Sequence, residues 1–418
     1  SRRRSQGHLL NPTPEPSHTG ILAAPRASCE GYGMPGALDG IRILDLSWGV
    51  AGPLGVMLLA DLGADVIKVE PPGGDPFRDA PGSPVWHRSR RSVVLDLKQA
   101  EGKEAFLKLC DTADVLVEAF SPGTMAALGL SYDELSARCP RLIYASVPAY
   151  PEAHRYAARP GWDALVQARS GAQYEQPAWR PGPAHLHMQI PSMGACFLLA
   201  SAILAALTAR EDSGKGQQVS TSLYQGVLAY TTMLWQDVEH LNAPDSLVMA
   251  KTYPPGVHQV SIYECANGEW MHANVNVGRV ATRTMEEILG VAPVDQARFM
   301  TDLAYRAEHQ QVLREAFITR DRAQLCEEFF EAGVGADPIL TAVEGFAYPQ
   351  TRANNMVVSV ADPEFGQMEQ YGIPAVLSET PGAVQGGRPG VGEHSRKILS
   401  ELGYDDSTLD RLTADGVI

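Results

Sequence analysis

The chain predicts an α/β protein: a parallel sheet covered by helices, with a smaller α+β second domain. Three observations carry the expectation. Short β-rich runs alternate with helical segments from residue 38 to about 150, as parallel strands joined by helical crossovers do. Helices then dominate from Pro160 to about Leu241, and a β-like piece with amphipathic helices follows over 258–335. After 345 the sequence returns to turns and short strands and ends in a helical run, Gly392 to Leu402.

The elements justify themselves in order. Ile41 to Leu46 is a short β-rich run. Gly52-Pro53 opens a helix through Leu62, with proline in the first turn, where its missing N–H costs nothing. Asp65 to Glu70 is the next strand, and Pro71 to Pro76 is a loop by composition. Ser92 to Leu97 is a third strand. Glu101 to Cys110 carries Ala105, Phe106, Leu109 and Cys110 on one helical face. Asp114 to Glu118 is a strand, Ser121-Pro122 opens a helix, and Arg141 to Val147 is a strand again. Val260 to Tyr263 and Trp270 to Ala273 flank Asn267-Gly268, a hairpin signal. Val312 to Arg320 and Ala323 to Ala332 are amphipathic helices. The expected organisation is a disordered tail or misassigned start over 1–37, with Met34 as the natural first residue. The large domain follows over 38–225, linker helices and the small domain over 226–340, and a return to the large domain over 341–418.

Composition narrows the function. Lys and Arg number 34 against 49 Asp and Glu, a net charge of −15, which argues against nucleic acid as partner. A local basic patch can still hold a small anion. The apolar run Ala195 to Leu207 is too short to span a bilayer, so no membrane partner is expected. Six scattered cysteines show no CxxC and no zinc spacing, which implies reduced thiols, no metal and a cytoplasmic location. There is no GxGxxG and no GxxxxGK[ST], hence no nucleotide fingerprint. In a parallel sheet of this kind, ligands sit at the carboxyl ends of the strands.

Several segments, taken in order, resemble the family III CoA-transferases, a group that includes the α-methylacyl-CoA racemases. They are Leu38 to Leu46, Gly52-Pro53, Leu62 to Pro71, Gly74-Asp75, Arg91 to Lys98, Pro122-Gly123, Val391 to His394 and Leu402 to Tyr404. A further one runs from Met188 through Leu207 to Gly214–Leu223. The resemblance implies a large Rossmann-like domain built from both ends of the chain, a small domain inserted between, and an interlocked dimer, either a homodimer or a heterodimer with a catalytic paralogue. It implies acyl-CoA and a carboxylic acid as partners, with the coenzyme A thioester as substrate and no permanently bound cofactor. In the transferases an Asp opening a helix attacks the thioester, passing through a mixed anhydride and an aspartyl-CoA thioester. Counting back from Ile203 to Leu207 puts Ser192 at that position. A serine there needs an adjacent base, for which His185 and His187 are near in sequence; otherwise Ser192 is a helix N-cap. The racemases use a His directly before an acid, where this chain has Trp162-Asp163. Asp163 is the surviving carboxylate. It acts as nucleophile or base, or it caps the first turn of its own helix.

For coenzyme A, the resemblance carries over to Leu95, Lys98 and Phe120. Ala119, Ser121, Pro71, Ala127 and Val50 depart from the pattern of related transferases. Arg78 and Arg91, with Arg88 and Arg90, form either a phosphate-binding patch or a solvated surface loop. Trp179, Met188 and Trp235 either favour a bulky acyl group or belong to the core. Three functions follow: a CoA-transferase acting through Asp163 or Ser192, a non-catalytic subunit of a heteromeric transferase, or an acyl-CoA isomerase or lyase using Asp163 as base.

Overall fold

The computed structural model describes residues 36–151, 153, 155–175, 183–231, 261–273 and 279–418. The tail, Trp179, Trp235 and much of the expected linker lie outside the described residues. Six strands form one parallel sheet: β1 (Arg42–Asp45), β2 (Asp65–Glu70), β3 (Arg91–Val94), β4 (Val115–Glu118), β5 (Ile143–Ser146) and β6 (Gln218–Ser220). Their spatial order is β3-β2-β1-β4-β5-β6. That is the doubly wound Rossmann order, whose direction reverses between β1 and β4 and opens a crevice there.

Each face of the sheet is buried, and apolar strand residues supply a core on both sides. On one face, Ile43, Val66, Val115 and Ile143 pack under α1 (Ala51–Asp61) and a long helix, Ile190–Ser213. On the other, Leu44, Ile67, Leu116 and Tyr144 meet Phe106 and Leu109 of the helix Ala100–Cys110. Ile398, Leu399 and Leu409 of the last two helices, Ser395–Glu401 and Asp406–Ala414, complete that second core. The chain's end is stitched to β3: His394 N–H donates to Ser92 O at 3.0 Å, and Asp96 N–H to Val417 O at 2.8 Å.

A separate core gathers Tyr263, Met271, Phe317, Leu325 and Phe329 around an antiparallel sheet of β7 (Ile262–Glu264), β8 (Trp270–Ala273) and β9 (Ala336–Pro338). Asn267 and Gly268 in the turn have φ of 65° and 74°, the left-handed geometry that the Asn-Gly pair signals. A second hairpin, β10 (Val357–Asp362) and β11 (Gly366–Tyr371), lies in the segment after 341.

The helix Ile190–Ser213 runs to 24 residues, longer than the apolar run read from the sequence, and is long and apolar enough to cross a membrane by composition. Half of its most apolar stretch is buried, and Leu199, Ile203 and Ala206 belong to the first sheet core. It crosses the helix Leu223–Tyr230 at two facing glycines. A Cβ on Gly194 would lie 2.2 Å from Gly226 O, and one on Gly226 would lie 2.3 Å from Pro191 O. Only glycine permits this approach, and it fixes the start of the long helix.

Candidate active site

A cleft of about 750 Å³ runs along the carboxyl ends of the strands. Leu46 after β1, Pro71 after β2, Leu95 and Lys98 after β3, Phe120 after β4 and Ala149 after β5 all line it. Its size falls within the range of small-molecule sites. Asp163 and Ser192 line it as well.

Asp163 and Ser192 are in direct contact. The Ser192 backbone N–H donates to Asp163 Oδ1 at 2.9 Å, and Ser192 Oγ–H donates to Oδ2 at 2.7 Å. The sequence explains the pairing. The helix Ile190–Ser213 has Gln189 as N-cap, with no side-chain cap, and proline at its second position. Its first N–H groups need partners. Ile190 donates to Met188 O and Met193 to Gln189 O, both at 2.9 Å, and Pro191 has no N–H. Ser192 N–H remains, and Asp163 takes it. Gln167 of the helix Asp163–Ser170 donates to Met188 O at 3.0 Å and clamps the two helix starts together.

Both bland readings of these residues change. Ser192 is the third helical residue rather than the N-cap, and it donates to a carboxylate. Asp163 is the first residue of its own helix, which has no side-chain cap; its carboxylate serves the neighbouring helix instead. The Ser192 hydroxyl is engaged by Asp163, while His185 and His187 are exposed and face each other edge-on at 6.4 Å. One turn beyond Ser192, Cys196 is buried, and burial pushes its thiol up to about 12, which removes it as a nucleophile. Among the described residues no cluster of His, Cys, Asp and Glu side chains could hold a metal ion.

Of the residues expected to bind coenzyme A, Leu95, Lys98 and Phe120 line the cleft. Phe120 meets Trp48 edge-on at 4.9 Å, and Lys98 is exposed with no ion-pair partner among the described residues. The arginines are committed elsewhere, forming neither a phosphate patch nor a solvated loop. Arg78 makes a two-pronged contact to Glu70, each prong 2.7 Å, and donates to Pro389 O. Arg91 pairs with Asp65 at 2.8 Å and Glu401 at 3.2 Å. It opens β3 and so stands at the end of the sheet away from the cleft. Arg88 is buried against Asp61 at 2.6 Å, and Arg90 against Asp45 at 2.5 Å.

Lys68 is equally buried, 2.9 Å from Asp75, and also donates to Ser47 O. Together these pairs form a charge-matched layer beneath the cleft. Burial pushes the Glu70 carboxyl up, but hydrogen bonds from Arg78 and Ser92 outweigh it and hold the group below its ordinary 4.5. His87 is driven well below 6.5 by burial and by the neighbouring cations Lys68, Arg90, Arg78 and Arg388, so it is neutral.

Sequence reasoning missed Trp48, Phe77, Trp86 and Arg159, which line the cleft. The signal for Trp48 was present, since it directly follows the carboxyl end of β1, where ligands of such sheets bind.

The comparisons with known proteins agree with this geometry. The model of "CoA-transferase family III" matches residues 38–395. The succinyl-CoA–D-citramalate CoA-transferase of Chloroflexus aurantiacus is 32% identical over 404 residues, covering 92% of this chain and 98% of that protein. The formyl-CoA:oxalate CoA-transferase of Streptomyces coelicolor is 30% identical over 408 residues, covering 91% and 99%. A solved CaiB/BaiF family protein from Brucella suis superposes with a TM-score of 0.75 at 27% identity, over 88% of this chain and all (100%) of that one. With the sheet order, the cleft and these matches in agreement over nearly the whole described chain, the protein belongs to CoA-transferase family III.

Proposed function

We propose that the protein transfers coenzyme A between an acyl-CoA and a carboxylic acid, with Asp163 as the group that carries the acyl chain. One observation carries the reading: the Asp163 carboxylate stands in the cleft, fixed through both oxygens by Ser192, with no cation paired to it among the described residues. An oxygen of Asp163 attacks the thioester carbon, the C–S bond breaks, and CoA thiolate leaves a mixed anhydride behind. The thiolate attacks the Asp163 carbonyl, releasing the first acid and forming an aspartyl-CoA thioester. The acceptor carboxylate displaces the thiolate to give a second anhydride. The thiolate then takes the new acyl group and frees Asp163. Ser192 contributes position. Leu95, Lys98 and Phe120 are the residues offered for the nucleotide end of coenzyme A. Coenzyme A passes through as substrate.

Ser192 itself supports a second reading, since the resemblance puts the nucleophilic Asp of the transferases at that place. In a heterodimer the chain is then the non-catalytic subunit, beside a paralogue that keeps the Asp. Mass spectrometry of the protein after incubation with a panel of acyl-CoAs and hydroxylamine separates the two. A hydroxamate on Asp163, absent from Asp163→Asn, is the expected result. Modification confined to a co-purified paralogue transfers the chemistry to that partner.

A further inference from the structure

Resting on the CoA-transfer reading, we infer that the acyl pocket selects apolar, aryl-sized acyl groups over short dicarboxylic ones. Five aromatic side chains line the cleft: Trp48, Phe77, Trp86, Phe120 and Trp162. Three of them are tryptophans, from a chain with only six, so the concentration is not a reflection of composition. Trp162 is the most telling. It directly precedes Asp163, yet its side chain is 58% exposed, an unusual cost for an indole that is not there to contact something. Its ring stands 5.7 Å from that of Phe77, tilted at 53°, a half-open apolar slot beside the reacting carboxylate.

The charges point the same way. Among the described residues lining the cleft the only cations are Lys98 and Arg159. Lys98, after β3, is the cation offered above for the nucleotide end of coenzyme A, where phosphates engage it. Arg159 turns its guanidinium onto the Tyr156 ring, 4.6 Å from the centroid. A second carboxylate on the substrate would enter a slot walled by Phe77, Trp162, Ala149 and Leu223, beside the unneutralised Asp163. It would lose hydration without gaining a paired cation, which disfavours it.

Unreactive thioethers test this on the full-length protein by calorimetry: S-(2-phenylethyl)-CoA, S-(3-carboxypropyl)-CoA and free coenzyme A. The phenylethyl thioether is expected to bind at least about tenfold more tightly than the carboxypropyl one. Trp162→Ala, and independently Phe77→Ala, should reduce that preference to roughly threefold or less while leaving the affinity for free coenzyme A unchanged. Equal or tighter binding of the carboxypropyl thioether, with both ligands bound, overturns the selectivity and makes Arg159 its anchor. A preference unmoved by both variants overturns the assignment to the Phe77–Trp162 slot. If free coenzyme A and both thioethers fail to bind, the CoA-transfer reading falls, and the selectivity with it.

Discussion

The carboxylates around the cleft are held either by cations or by neutral donors; Asp96 is of the second kind, bonded within its own turn to the Lys98 N–H and the Gln99 amide. Asp45, Asp61, Glu70 and Asp75, in or after the first strands and α1, are buried, and each is matched by a cation: Arg90, Arg88, Arg78 and Lys68. Asp163 is half-buried and, among the described residues, is matched by a backbone N–H and a hydroxyl. A guanidinium or ammonium ties its carboxylate into the framework and lowers its nucleophilicity. Neutral donors and the start of a helix hold a carboxylate in place while leaving its charge to be neutralised by chemistry. The contrast separates scaffold from candidate nucleophile more cleanly than position in the sequence does.

Substitutions can break this contrast from either side. Arg90→Met takes from buried Asp45 its nearest cation, leaving Lys68 at 4.0 Å, and is expected to cost about 3 kcal/mol in urea unfolding; a cost near zero would remove the scaffold role of the layer. Asp163→Asn should reduce CoA transfer by at least about 100-fold, since an amide cannot form the anhydride. Its unfolding free energy should change by only about 1 kcal/mol, the scale of a helix-cap contact. Equal losses in activity and stability would place Asp163 among the scaffold carboxylates.

Ser192→Ala removes one of the two bonds on Asp163 and leaves the backbone one. An effect of about tenfold on kcat with KM little changed is expected, together with a loss of roughly 1 kcal/mol in stability. A rise in KM alone would show that the hydroxyl meets substrate instead. The pH dependence of unfolding gives a finer comparison. His87 is held below 6.5 in the folded protein, so the unfolded chain binds the extra proton first. Stability is therefore full above pH 6.5 and declines as pH falls beneath it, and His87→Gln should flatten the curve there. Smallest of all, Arg352→Ala breaks a pair with Glu369 whose side chains are both exposed, and the thermal midpoint should not move.

The alternation of strands and helices was legible because it is written locally, in β-branched runs, Gly-Pro starts and the Asn267-Gly268 turn. Asp163 and Ser192 were each legible as unusual residues. Their contact was not, because it joins positions 29 apart through the geometry of two helix starts. The arginines of 78–91 were misread for the same reason. A cluster of charges next to a loop looks solvated until its partners, Asp45, Asp61 and Asp65, are brought across from other strands and helices. Lys68 alternates with apolar neighbours in β2 and reads as an ordinary strand residue, although its ammonium is buried.

The pair of bonds on Asp163 has a consequence for anything attached to that side chain. Once an acyl group is joined to one oxygen, the charge is gone and the carboxyl becomes a weaker acceptor for Ser192. The helix start regains its anion only when the acyl group departs. In the proposed cycle every covalent state of Asp163, anhydride and thioester alike, therefore leaves the helix start without its anion until the last thiolate attack frees the carboxylate. Hydroxylamine present during turnover then meets the Asp163 carbonyl in the aspartyl-CoA thioester of that cycle.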